Sequence, residues 1–327
     1  MSMRVVSLSR TKVIALEPLL SGYGFKPYAH YPEIADERRT RYFLDEIQAA
    51  RAHASTQFWI APAQREVVGL ASLTFLRWDS EQLGVRAGRI GHLLPEHDYR
   101  TSSGIKHRLL ERIMRACETD HTEYVTVRVN AHETASIHVL EDNGFEMLDG
   151  ILTFSCDLRK RRAKRARAGI ETRLARRTDL REIQKIAVSS FRYDRFHTDP
   201  RIPEGTADSL HAAWLRNSLR GVGADAIVVG ERHGRLHGFV TCRIDRASSP
   251  TLGLSLGSIV LVAVEESSRG KGVASAMTAG ALDWFLEHGV DVVEVGTQLR
   301  NIEASRLYEN MGFRLVASSV SMRKWIK

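Results

Sequence analysis

The sequence predicts an α/β (α+β) protein built from two copies of one unit, and three observations carry that expectation. Residues 258–281 read SIVLVAVEESSRGKGVASAMTAGA. There a β-branched run (Ile259, Val260, Leu261, Val262, Val264) passes through a glycine turn into a helix-period segment ending near Leu286. A shift of 168 residues lays Gly312-Phe313 on Gly144-Phe145, the strand over 291–297 on 123–129, and Gly272 on Gly104. At 327 residues the chain exceeds one ordinary domain. The expected organisation is a first domain over 1–158, a linker over 159–169 and a second domain over 170–327.

Composition narrows the function classes. An apolar fraction of 43% suffices for packed cores. Cys117, Cys156 and Cys242 are scattered, with no C-x-x-C pair, so neither a zinc knuckle nor a disulfide framework is expected. No metal site is expected either. The first residues lack an apolar core followed by a small-residue cleavage site, and no apolar run is long enough to span a bilayer. A cytoplasmic location and no membrane partner follow as expectations. The net charge of +8 comes largely from residues 159–167, RKRRAKRAR, and without their seven basic side chains it falls to +1. The excess is one local run, so a solvated linker is expected and nucleic acid is not an expected partner.

In order, the spacing predicts a helix over 38–53, strands over 58–61 and 67–76, and a turn at WDSEQLG (78–84) anchored by Trp78. A strand near 88–94 follows. Then come a helix over 103–119 with Leu109, Leu110, Ile113 and Met114 on one face, a strand over 124–129 and a helix over 134–142. A strand over 151–158 closes the half. The second copy runs through a strand from Ile170 and a helix over 179–191 with Asp179 near its N-cap. Strands follow over 226–230 and 238–243, then the motif stretch, a strand over 291–297, a helix over 303–310, and a final strand pair over 314–318 and 320–326.

The motif stretch predicts an anion site. The first amides of a helix have no partner inside it and carry the positive end of its dipole. Gly270 and Gly272 let the backbone close on a phosphate, with Arg269 and Lys271 adding charge. The spacing is not that of a P-loop, which needs G-x-x-x-x-G-K-(S/T). Arg269, Gly272 and Ala274 do fit (Q/R)-x-x-G-x-(G/A), and residues 301–313 fit N-x-x-A-x-x-x-Y-x-x-x-G-F through Asn301, Ala304, Tyr308, Gly312 and Phe313. Together these resemble the GNAT acyl-CoA N-acyltransferases. The resemblance implies tandem GNAT folds, each a mixed, mostly antiparallel sheet flanked by helices, with acetyl-CoA as co-substrate. It places the coenzyme against Leu261, Val262, Ala263 and Val264, the turn Arg269-Gly270-Lys271-Gly272-Val273-Ala274, and Asn301, whose other reading is an ordinary helix N-cap. It implies that strand N–H groups polarise the thioester carbonyl, a role suited to donors that need no reorganisation.

Tyr308 is the expected catalytic residue. A phenol of reference pKa about 10 can protonate a departing thiolate of about 8.5 with only a mild uphill transfer. No carboxylate stands on the strand over 258–264 to act as base, and Glu265 and Glu266 lie too far along the chain. At the matching positions the first copy has Thr101, Lys106 and Leu140 in place of Arg269, Ala274 and Tyr308, so it reads as degenerate. Arg100, one place off, leaves ligand binding there open.

The stretch SFRYDRFHTDP (190–200) is dense in charge and rings. Arg195, His197 and Asp199 are expected to line the acceptor site. RFHTDP and AAWLRNSLRG (212–221) resemble the dTDP-4-amino-sugar N-acetyltransferases. The expected partner is therefore a small-molecule amine, with a nucleotide-linked amino sugar first. The alternatives are another amine (an aminoglycoside, a thiol-precursor amine, a protein N-terminus) and a non-catalytic acyl-CoA sensor or scaffold. The presence of both Arg269 and Tyr308 argues against the sensor. A homodimer stays open.

Overall fold

The computed structural model describes residues 4–8, 10–64, 66–95, 99–161, 169–188, 198–203, 205–207, 209, 213 and 223–326. They divide into two compact units, one of residues 1–150 with 318–327 and one of residues 151–317.

In unit 1 the sheet runs β1 (Val6–Ser7), β2 (Thr56–Ala63), β3 (Glu66–Phe75), β4 (Ala87–Leu94) and β5 (Tyr124–Asn130), then residues 319–325 of β12 (Arg314–Trp325). Every pairing is antiparallel except β4 with β5. Helix α4 (Tyr99–Asp120) packs Leu109, Leu110, Ile113 and Cys117 against Trp59, Leu73, Ile90 and Val125. The other core cluster joins Leu16 and Leu20, at and within α1 (Glu17–Ser21), with Phe43 and Ile47 of α2 (Asp36–Arg51) on Phe58, Ile60 and Leu70. The short α3 (Arg77–Leu83) and α5 (Thr134–Asp142) complete the unit.

Unit 2 repeats the plan. Its sheet runs β7 (Glu171–Leu174), β8 (Ala226–Arg232), β9 (Arg235–Asp245), β10 (Leu256–Val264), β11 (Val292–Gln298), then residues 151–157 of β6 (Glu146–Asp157). Only β10 with β11 is parallel. Its helices are α6 (Leu180–Val188), the single turn α7 (Ser249–Leu252), α8 (Val273–Glu287) and α9 (Ile302–Asn310). The i, i+4 row Val273, Met277, Ala281, Phe285 of α8 is buried against Val240, Ile259 and Val293, while Ile183, Ile186 and Ala187 of α6 cluster with Val229, Phe239 and Leu261. Each of the larger side chains contributes about 1.5–3 kcal/mol before entropy is counted. A Cβ at Gly238 would meet the Ala263 carbonyl oxygen at 2.5 Å and Met277 Cε at 2.6 Å, so glycine there lets β10 and α8 both sit close on β9.

Several expectations need correction. Residues 151–158 do not close the first half. Ile151–Asp157 pairs with Gln298–Val292 of β11, and the sheet of unit 1 is closed instead by Ser319–Trp325 on Asn130–Tyr124. The copies thus exchange their closing strands. The expected strand pair over 314–326 is the one strand β12. WDSEQLG lies in α3, which ends at Gly84 with φ +73 and is tied by Ser80, whose Oγ donates to Leu76 O and accepts from Ala87 N–H, rather than by Trp78. Asp179 stands just before α6, but its carboxylate accepts from Arg176 N–H and from Arg173. The three cysteines are buried and form no disulfide, and burial pushes the thiols of Cys117 and Cys242 up to about 12. No described helix is long and apolar enough to cross a membrane.

The basic run begins as structure. Asp157 holds Arg159 Nε at 2.9 Å and Lys160 at 3.3 Å, and Arg161 reaches Asp283 at 2.5 Å. Residues 162–167 lie outside the described set. The hydrogen bonds from Arg159, foremost, hold the Asp157 carboxyl down at about 2 from an ordinary 3.8. A carboxylate depressed on folding stabilises above its unfolded value, and that stability is lost as pH falls through the folded one. Melting temperature measured against pH should therefore show Asp157→Asn less stable than wild type at pH 7, with the two curves converging between pH 4 and about 2.

Candidate active site

β10 positions the site. It pairs with β9 along its length, with a register shift between Ile259 and Leu261. Its parallel pairing with β11 covers only Leu256–Ile259 against Val292–Val295. Beyond that point β11 stays with β6, through Gly296–Gln298 on Thr153–Ile151, and β10 continues to Val264 without it. The two strands splay into a cleft whose wall is the β10 backbone over Val260–Ala263. The Leu261 N–H faces β9, donating to Thr241 Oγ1 at 2.9 Å. Backbone groups of a strand alternate in direction, so the Val262 N–H faces the cleft.

Past Val264 the chain makes a 3-10 turn, Glu266–Ser268, and passes through Arg269 in extended conformation. Gly270 (φ +71) and Gly272 (φ +84) are both left-handed, a region that glycine enters without penalty. Gly272 is the N-cap of α8. No side chain caps that helix start, so its first amides are available to an anion. Arg269 is exposed, with Nε 3.4 Å from Val264 O, and Lys271 is exposed beside it. Val273 is buried and Ala274 half-buried on the first turn. Glu265 is not placed as a base. Burial works against its charge, but Arg235 and His237 hold its carboxyl below the ordinary value and engage it.

Tyr308, on α9, is 4% exposed, its ring 5.8 Å from that of Phe154 and 5.7 Å from that of Phe313. Phe154 belongs to β6, so the exchanged strand supplies one wall of the tyrosine's pocket. Among the described residues the Tyr308 hydroxyl makes no hydrogen bond. Burial pushes its pKa up, so it is protonated at neutral pH. Asn301 caps α9, its Oδ1 accepting from Ala304 N–H at 3.1 Å, which is the ordinary N-cap bond.

Of the residues expected to line the acceptor site, Arg195 and His197 lie outside the described residues. Asp199 is 1% exposed and its Oδ1 accepts from Arg201 N–H at 3.1 Å. Arg300, outside the expected site set, donates from NH2 to Thr198 Oγ1 at 2.6 Å and ties this segment to the residue before Asn301. The only sequence cue was a basic residue next to the helix cap.

Unit 1 has the same splay but not the same site. β4 pairs in parallel with β5 over Ala87–Ile90 against Tyr124–Val127, then leaves it. The helix that follows starts at Tyr99, earlier than the expected 103, so Thr101–Gly104 are helical where Arg269–Gly272 form an open turn. Lys106, fully buried, donates from Nζ to Leu93 O at 2.8 Å and to Ser136 Oγ at 2.6 Å. It bridges the edge of β4 and α5 across the gap. The matching positions in unit 2 are Ala274 and Ala304, whose methyl groups cannot make such a bridge.

Residues 180–313 match the family model described as Acetyltransferase (GNAT) family. The chain is 26% identical over 227 residues to the spore coat polysaccharide biosynthesis protein SpsD of Bacillus subtilis, covering 68% of this chain and 74% of that one. It is 23% identical over 189 residues to the dTDP-fucosamine acetyltransferase of Escherichia coli O6:H1, covering 58% and 75%. In fold it is similar to a tandem GNAT protein from the clavulanic acid biosynthesis pathway, with TM-score 0.61 and 14% identity, covering 99% of this chain and 98% of that one.

Proposed function

From the premise that this chain carries an acetyltransferase domain of the GNAT family, we propose that it transfers an acetyl group from acetyl-CoA to the amine of a nucleotide-linked amino sugar. The observation that carries the reading is the open β10–β11 splay leading into an uncapped, glycine-led helix in unit 2. On this reading the domains are a degenerate unit 1 and a catalytic unit 2. The amides of Val273 and Ala274 and the Arg269 guanidinium take the pyrophosphate. The β10 edge over Leu261–Val264 takes the pantetheine arm, and the Val262 N–H donates to the thioester oxygen as it gains charge. The acceptor nitrogen attacks the carbonyl carbon and the C–S bond breaks. Tyr308 gives its proton to the departing sulfur, the extra proton on nitrogen leaves to solvent, and the phenolate is reprotonated from solvent. Asn301, beyond its capping bond, has an amide nitrogen to offer the coenzyme.

The amino sugar is supported by two relatives whose names concern saccharides, a polysaccharide biosynthesis protein and a fucosamine acetyltransferase. Arg195 suits a sugar diphosphate, and His197 and Asp199 suit the ammonium. Thiol release from acetyl-CoA, screened over a panel of amines that includes nucleotide amino sugars, tests the reading. We expect turnover with the nucleotide sugars, with Arg195→Ala and His197→Ala raising acceptor KM or lowering kcat while acetyl-CoA affinity holds. Turnover confined to other amines would sink the sugar assignment.

A further inference from the structure

The turn that presents Arg269 and Gly272 is fastened from outside its own motif. The β9–β10 register, with Gly238 opposite Val264, brings His237 opposite Glu265. His237 Nδ1 lies 2.8 Å from Ser268 Oγ and 3.4 Å from Glu265 Oε2, and Ser268 Oγ is 3.4 Å from the same carboxylate oxygen. Arg235 pairs with the other oxygen of Glu265. The backbone joins in: Glu265 N–H donates to His237 O and Ser268 N–H to Glu265 O, each at 2.8 Å. Ser268 is 5% exposed, so this is an interior fastening immediately before Arg269.

We propose that His237 and Ser268 are positioning residues for the coenzyme's pyrophosphate. The inference rests on unit 2 being the coenzyme site. A turn led by two left-handed glycines has more conformations to lose than an ordinary one. Holding its start in place before binding removes part of the ordering that binding would otherwise have to supply. Neither residue belongs to the acyl-transfer machinery, so the effect falls on coenzyme affinity and not on the chemical step.

The test is calorimetric titration of the full chain with acetyl-CoA. His237→Ala and Ser268→Ala should each raise Kd about tenfold, the scale of one lost hydrogen bond. The double variant should lose clearly less than the product of the two single losses, because the short His237–Ser268 bond is removed in all three. His237→Asn, which keeps a polar group near the Nδ1 position, and Ser268→Thr, which keeps the hydroxyl, should recover most of the affinity. Unchanged Kd in the folded single variants overturns the proposal. So does a double variant about a hundredfold weaker, or no recovery with Asn and Thr. Should His237→Ala fail to fold, the pair Ser268→Ala and Ser268→Thr decides alone. Gly272→Asp in the same titration separates the levels: normal binding there refutes the coenzyme site itself, whereas lost binding there with normal His237 and Ser268 variants refutes only this inference.

Discussion

Tyr308→Phe is expected to lower kcat by about 10² to 10⁴, the range for a lost general acid, while leaving acetyl-CoA affinity and melting temperature near wild type. The structure makes this substitution a clean one. The ring is buried between Phe154 and Phe313, and phenylalanine keeps that packing. Among the described residues the hydroxyl has no hydrogen-bond partner, so removing it orphans no buried group. Burial raises the phenol's pKa, so the tyrosine holds its proton throughout the neutral range and imposes no alkaline limb there. Pre-steady-state thiol release checks the expectation at the chemical step. A normal rate for that step would reduce Tyr308 to a packing residue.

Gly272→Asp should weaken acetyl-CoA binding by roughly a thousandfold. A carboxylate about 4 Å from a phosphate charge costs about 4 kcal/mol at an effective dielectric of 20. Gly272 has φ +84, so any side chain also strains the backbone. Gly272→Asn carries the same strain and shape without the charge and should lose about tenfold or less. Equal losses for the two variants, measured by calorimetry, would mean that strain and not an anion explains the effect.

The order of elements was legible because period-2 and period-3.6 patterns are local. The strand expected over 258–264 is observed over Leu256–Val264, and the glycine turn and the helix behind it stand where their residues predict. Strand partnership was not legible. Alternation says which face of residues 151–157 is buried, but β5 and β11, as repeats of one strand, present similar edges, and the exchange follows from pairing rather than pattern. The early start of α4 was hidden because Thr101 and Ser102 read as loop residues. Lys106 looked like an ordinary charged substitution. Its burial depends on acceptors at Leu93 and Ser136, 13 and 30 positions away in sequence. The His237–Ser268 fastening spans 31 positions and has no motif. Leu16 and Leu20 anchor a core cluster of unit 1 from a 3-10 stretch and a five-residue helix, too short to show a period.

On the proposed reading unit 2 alone takes the coenzyme, since in unit 1 Lys106 bridges β4 and α5 and helix replaces the glycine turn. Calorimetric titration of the wild-type chain with acetyl-CoA tests this most directly. The expected result is one molecule bound per chain, abolished by Gly272→Asp and unaffected by Arg100→Ala. Two molecules per chain, or one that survives Gly272→Asp, would contradict it.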